Sequence, residues 1–308
     1  MGPTRLVSGP LRFGSPLPSS DGKRLFVFGE DPRVELVRYD QREQRFDPYL
    51  SGQSVGPIDF TRDGRWMAYI SYPDMTLWRS RVDGSEKMQL TFPPARAYEP
   101  RWSPDGSQIV FMDVRYDAPW QIHLISPSGG TPRALVGPDI SYADPTWMPD
   151  GKSIIFGKHA EGESNTVYRL ELNTKKISQI PDSIGFSSPR VSPDGRYIAA
   201  VGRNFLSLVL FDTRTGQWSL LAEGEKVSYN EWSHDGQYVY FRRQQGGAAE
   251  LVRIRIKDRV VQRVLSLRDV PLLSDFLANW VGLTPDDAPL VMRNRSIQEF
   301  YALDLQFR

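Results

Sequence analysis

The chain has 308 residues, 40% of them apolar, with 38 Lys and Arg set against 37 Asp and Glu. That composition supports a large core, and a formal charge of +1 gives no general attraction to nucleic acid or to an anionic membrane, so neither is an expected partner. Cysteine is absent, which removes disulfides and thiol chemistry, and no apolar run approaches the ~20 residues of a helical membrane span.

The chain opens with Thr4-Arg5-Leu6-Val7-Ser8, a short strand pattern with no turn of its own. Met1-Gly2 directly before it reads as the cut edge of a longer polypeptide. A short turn then recurs along the rest of the chain: Ser20-Asp21-Gly22, Arg62-Asp63-Gly64, Pro104-Asp105-Gly106, Pro149-Asp150-Gly151, Pro193-Asp194-Gly195, His234-Asp235-Gly236 and the degraded Pro285-Asp286-Asp287. The steps between the Asp positions are 42, 42, 45, 44, 41 and 51 residues, a period that belongs to repeat architectures. Pro presets φ at the first central position, Asp bonds its own backbone, and Gly supplies the positive φ at the exit. Alternating or wholly apolar stretches flank each turn, which is a hairpin signal.

Two further strands complete each period. In the third repeat they are Trp120–Ile125 and Pro132–Val136, joined by Ser128-Gly129-Gly130. In the second they are Leu77–Val82 and Met88–Phe92, joined by Asp83-Gly84. Four strands in about 42 residues make one propeller blade. The expected fold is therefore all-β: a single-domain, seven-bladed β-propeller of four-stranded antiparallel blades. The blades fall near residues 13–51, 55–92, 97–136, 142–181, 186–223 and 227–265, and the last comprises 278–305. That last repeat supplies only three strands, so Thr4–Ser8 is expected to complete it and close the ring. Helical spacing is expected only in a turn or two within Leu267–Phe276. A monomer is expected.

The Trp-Ser-Pro-Asp-Gly pattern followed by an apolar strand is clearest at Trp102–Phe111, Trp147–Phe156 and Val191–Ala199, and looser at Trp232–Phe241. It resembles the WD40-like (PD40) repeats of TolB-type propellers. A narrower resemblance lies in Arg5–Phe13, Leu25–Tyr39, Tyr69–Gly84 and Gln298–Leu305, which look like the C-terminal propeller of large bacterial proteins carrying an N-terminal winged helix. That likeness implies the sensory or interaction end of a regulator. The TolB likeness implies a periplasmic binding module, and the regulator likeness a cytoplasmic one. The sequence holds neither a winged helix nor a TolB N-terminal domain.

Motifs that could carry chemistry read as structural. Gly52-Gln53-Ser54-Val55-Gly56 matches the nucleophile-elbow spacing, but that motif needs a strand-to-helix turn and here lies between blades. His123, His159 and His234 fall at different points of the repeat and do not converge as catalytic metal ligands must. No catalytic residue, metal or cofactor is therefore expected. The alternative is a propeller enzyme, a metal-dependent lyase or lactonase with its site in the tunnel. The polar position just before the inner-strand aromatic holds Asp59, Arg101, Thr146, Arg190 and Glu231, an alternation of charge that predicts pairing between blades at the channel.

The loops opposite the Asp-Gly turns are rich in Arg and aromatic residues, the types that dominate binding hot spots. The residues expected to bind are Tyr72, Arg96, Arg115, Tyr116, His159, Arg203 and Phe205, with Arg115-Tyr116, Arg203 and Phe205 as the centre of the patch. The expected partner is a protein, a peptide or a cell-wall-derived ligand.

Overall fold

Seven antiparallel sheets account for almost all regular structure in a computed structural model that describes residues 11–159, 164–273 and 280–305. The repeat sets the strands in chain order. β1 (Arg12–Pro18) and β2 (Arg24–Asp31) form the first hairpin, and β3 (Val34–Asp40) and β4 (Arg45–Pro48) the next. Blade A is β5 (Val55–Phe60), β6 (Trp66–Ser71), β7 (Thr76–Arg81) and β8 (Met88–Gln89). Blade B is β9 (Ala97–Trp102), β10 (Ile109–Asp113), β11 (Gln121–Ile125) and β12 (Arg133–Ala134). Blade C is β13 (Ser141–Trp147), β14 (Ser153–His159), β15 (Thr166–Glu171) and β16 (Ile177–Gln179). Blade D is β17 (Ser187–Val191), β18 (Tyr197–Val201), β19 (Ser207–Asp212) and β20 (Gln217–Glu223). Blade E is β21 (Lys226–Trp232), β22 (Tyr238–Gln245), β23 (Ala248–Arg255) and β24 (Val261–Ser266). The C-terminal strands are β25 (Val281–Leu283), β26 (Pro289–Asn294) and β27 (Ile297–Asp304).

The all-β propeller, its seven sheets and its closure by N-terminal strands are as the repeats predict. The make-up of two sheets differs. Blade F takes β25 and β26 from the C-terminal end and β3 and β4 from the N-terminal end. The seventh sheet has three strands, β1, β2 and β27. Residues 13–51 therefore do not form one blade. The reason is a single long antiparallel ribbon. Arg24 pairs with Asp304 and Asp31 with Ile297, and the same register continues from Val34 with Asn294 to Arg38 with Leu290. Pro32 lacks an N–H and interrupts the ladder between the two halves. The pairing expected of Thr4–Ser8 lies outside the described residues.

Burial follows the same division. Six buried apolar clusters sit in the six gaps between blades A to F, each drawing side chains from both neighbours. The A–B gap holds Ala68, Leu77, Ile109 and Phe111, for example, and the F–A gap holds Leu36, Met67, Trp280 and Leu290. The three-stranded sheet contributes to none of these clusters, and its strands β1 and β27 are mostly exposed. Residues 267–273 form turns without a helix, and the rest of that predicted helical turn lies outside the described residues. A three-residue 3-10 helix at Arg203–Phe205 is the one helix among the described residues.

The Asp-Gly turns share one internal lock. In the turn at Asp194, the Ser192 hydroxyl donates to the carboxylate at 2.6 Å, Arg196 N–H donates to the same oxygen at 3.0 Å, and Tyr197 N–H donates back to the Ser192 oxygen at 2.9 Å. The turns at Asp21, Asp63, Asp105 and Asp235 repeat the pattern. Thr61 and the Arg65 amide and side chain hold the Asp63 carboxyl down to about 2.

Candidate functional site

The channel is lined by the inner strands β5, β9, β13, β17, β21 and β25. The register between inner and second strand slips once in each of the first five, between Ala143 and Thr146 in blade C and between Ser187 and Arg190 in blade D, for example. Such a bulge adds a residue and re-aims the side chains around it. At four of these slips a non-glycine residue takes a left-handed φ: Glu99 at 44°, Asp144 at 55°, Ser188 at 48° and Tyr229 at 50°. That conformation costs a non-glycine residue about 1–2 kcal/mol. These four residues line the loop-face half of the channel with Tyr98, Trp120, His159 and Phe205, around a cavity of about 60 Å³. That is room for a few waters. The sequence reading missed this layer. Its signal was present in the residue two places before the polar inner position, followed by Pro in Glu99-Pro100, Asp144-Pro145 and Ser188-Pro189.

The second layer is the polar set read from sequence, and it pairs across blades as expected. Arg101 reaches Asp59 at 3.4 Å and Glu231 at 2.6 Å, so one guanidinium ties blades A, B and E. Arg190 meets Glu99 at 2.5 Å and also donates to the carbonyls of Pro189 and Asp144. Val191 N–H reaches the Thr146 hydroxyl at 3.4 Å. Burial pushes the Asp59 and Glu99 carboxyls up, and Arg101 and Arg190 respectively oppose the shift. On the turn side of these pairs a second cavity, about 180 Å³, is lined by Asp59, Arg101, Glu231, His234 and Trp280.

The predicted loop-face residues divide into two groups and two outliers. The Arg96 guanidinium lies 4.5 Å from the Tyr116 ring centroid and donates to its hydroxyl at 3.1 Å. Arg115 pairs with Asp113 at 3.0 Å, and Asp113 also accepts the Arg96 N–H at 3.0 Å, so Arg96, Arg115 and Tyr116 form one patch. Tyr116 is 78% exposed at its crest. His159 and Phe205 sit at the channel mouth, where His159 packs on Trp120 with ring centroids 6.3 Å apart. Tyr72 packs among the apolar residues flanking blade A, with Arg12 above its ring at 6.0 Å. Arg203 donates to the Ile184 carbonyl at 3.2 Å.

The histidines stay apart. His123 lies in β11 beside Phe111, where burial lowers its pKa. His159 is at the loop-face mouth, and His234 is in an Asp-Gly turn on the other face, its Nδ1 2.8 Å from Asp287. Among the described residues, no three His, Cys, Asp or Glu side chains converge as a metal site would require. Ser54 of the elbow-like motif lies in the β4–β5 connector and accepts the Val34 N–H at 2.9 Å.

The family model described as the TolB beta propeller domain matches residues 34–270. An uncharacterized protein of Agrobacterium fabrum, Atu1656, is 41% identical over 69 residues, so the match spans 22% of this chain and 22% of that protein. Among solved structures, a TolB-like protein of Agrobacterium tumefaciens superposes with a TM-score of 0.69 at 17% identity, covering 85% of this chain and 98% of that one. TolB from Acinetobacter baumannii gives 0.57 at 16% identity, covering 94% and 82%. An oligogalacturonate lyase from Vibrio parahaemolyticus gives 0.60 at 12% identity, covering 90% and 88%. At these identities the superpositions show the fold alone.

Proposed function

The chain belongs to the TolB β-propeller family, and on that premise we propose that it is a non-enzymatic binding module taking a protein, a peptide or a cell-wall-derived ligand on its loop face. The observation that carries this reading is the exposed Arg96–Tyr116 stack beside the aromatic channel mouth of Trp120, His159 and Phe205. Arg and aromatic side chains held rigid by a scaffold lose little entropy on binding. The channel acids support the same reading. Asp59, Glu99 and Glu231 are each engaged by a guanidinium, as buried structural charges between blades must be.

The likeness of segments such as Leu25–Tyr39 and Gln298–Leu305 to regulator-type propellers supports reading the module as the interaction end of a regulator. In this structure those two segments pair along β2 and β27.

The test is affinity capture from extracts of the source cells on wild-type protein and on Tyr116→Ala and Phe205→Ala variants. A partner held by wild type and lost from both variants is expected. Equal recovery on all three would overturn the loop-face assignment. A tunnel enzyme remains the competing reading, on the fold likeness to the lyase. Stoichiometric metal by elemental analysis, together with turnover of an oligogalacturonate, would establish it instead.

A further inference from the structure

The gap between blades A and B opens on the Asp-Gly-turn face, opposite the proposed loop-face interface, as a groove of about 640 Å³. That volume lies within the range of small-molecule sites. Repeat symmetry shows what is unusual there. In the D–E gap, the aromatic opening the second strand, Tyr197, stacks on the tryptophan ending the next inner strand, Trp232, at 6.4 Å and 15°. The Trp232 Nε1–H donates to the Arg190 carbonyl. In the B–C gap, Trp147 donates to the Arg101 carbonyl in the same way. The equivalent pair in the A–B gap is Trp66 and Trp102. These two rings do not stack, and the buried Trp102 Nε1–H has no acceptor. Trp66 instead lies under two guanidiniums, Arg79 at 4.5 Å and Arg81 at 4.2 Å.

The polar lining has spare donors and few spare acceptors. Asp63 accepts from Thr61 and Arg65, and Asp105 from Ser103 and Ser107. Arg79 donates to the carbonyls of Pro127 and Glu86 and faces the Met88 sulfur, with no carboxylate partner among the described residues. The Arg62 side chain likewise has none. A slot walled by indoles and prolines, with two guanidiniums lacking acids at its rim, matches an apolar body carrying a carboxylate.

We propose that the A–B groove binds a small organic acid, its flat apolar body between Trp66 and Trp102 and its carboxylate on Arg62 and Arg79. The probe is 1-naphthoate, titrated calorimetrically against the whole chain, with the neutral 1-naphthamide as its isostere. Saturable binding of one naphthoate per chain is expected, with the amide weaker by roughly tenfold or more, since the charged hydrogen bonds are lost. Arg62→Gln, at an exposed position, should weaken naphthoate severalfold and leave the amide unchanged. Ser128→Trp, also exposed, fills the groove and should abolish binding without loss of fold, the latter checked by circular dichroism. Equal affinity for acid and amide, undiminished binding by Ser128→Trp, or no saturation in the millimolar range would each overturn the proposal.

Discussion

Replacing Arg190 by Met removes a guanidinium but keeps an apolar stem of similar length. In the wild type that guanidinium is 5% exposed and sits 2.5 Å from a Glu99 carboxylate that is 2% exposed. Without it Glu99 loses its nearest counter-charge while remaining inside the channel. Breaking a buried pair from one side costs about 3–5 kcal/mol, because the remaining charge is left desolvated. At roughly 2–4 °C per kcal/mol for a large domain, the unfolding midpoint should fall by at least about 6 °C. The Glu99 carboxyl already sits above its ordinary range through burial, and losing Arg190 raises it further. An acid with a raised folded pKa binds more protons folded than unfolded, so the penalty is full above that folded value and shrinks as pH falls through it. Adding Glu99→Gln removes the stranded charge, and the double variant should recover to within about 1–2 kcal/mol of wild type. Urea unfolding followed by tryptophan fluorescence gives all four corners of the cycle. A midpoint for Arg190→Met matching wild type at neutral pH, or a double variant no better than the single, would refute the claim that this pair is a buried structural lock.

Other outcomes follow from the same geometry. Ser192→Ala deletes both the donor to Asp194 and the acceptor of the Tyr197 N–H, and should cost about 1–3 kcal/mol in urea unfolding; a change below about 0.3 kcal/mol would show the turn does not need its lock. Asp287 raises the His234 pKa above its usual 6.5, so the pair stabilises fully below that value and is lost as pH rises through the raised one. His234→Gln should therefore lower the thermal midpoint more at about pH 5.5 than at about pH 9, by an amount within about 1 kcal/mol for so exposed a pair. Tyr116→Ala should leave the unfolding midpoint within about 0.5 kcal/mol of wild type, since the ring is exposed; a larger loss would make its pairing with Arg96 structural rather than available for binding.

Local chemistry made most of this legible in sequence. Each Asp-Gly turn fixes a hairpin within a few residues, so blades A to E fall where the pattern places them. The charge alternation at Asp59, Arg101, Arg190 and Glu231 predicted pairing because a buried charge needs a partner. What escaped is non-local. The β1–β2 hairpin carries the same turn as any blade, but the sheet it joins is decided by β2 pairing with β27, residues more than 260 positions away. No local pattern encodes that choice. The Glu99, Asp144, Ser188 and Tyr229 layer escaped because period-2 alternation assumes an unbroken strand, and each inner-strand bulge shifts which residues face the channel. The A–B groove escaped because only packing reveals that Trp66 and Trp102 do not close on one another.

Hydrogen exchange of the propeller with and without its captured partner tests the binding-module account most directly. The account predicts partner-dependent protection of amides around 114–120 and 203–206 on the loop face, with the Asp-Gly turns unchanged. Protection confined to the turn face, or unchanged exchange on the loop face with partner bound, would contradict it.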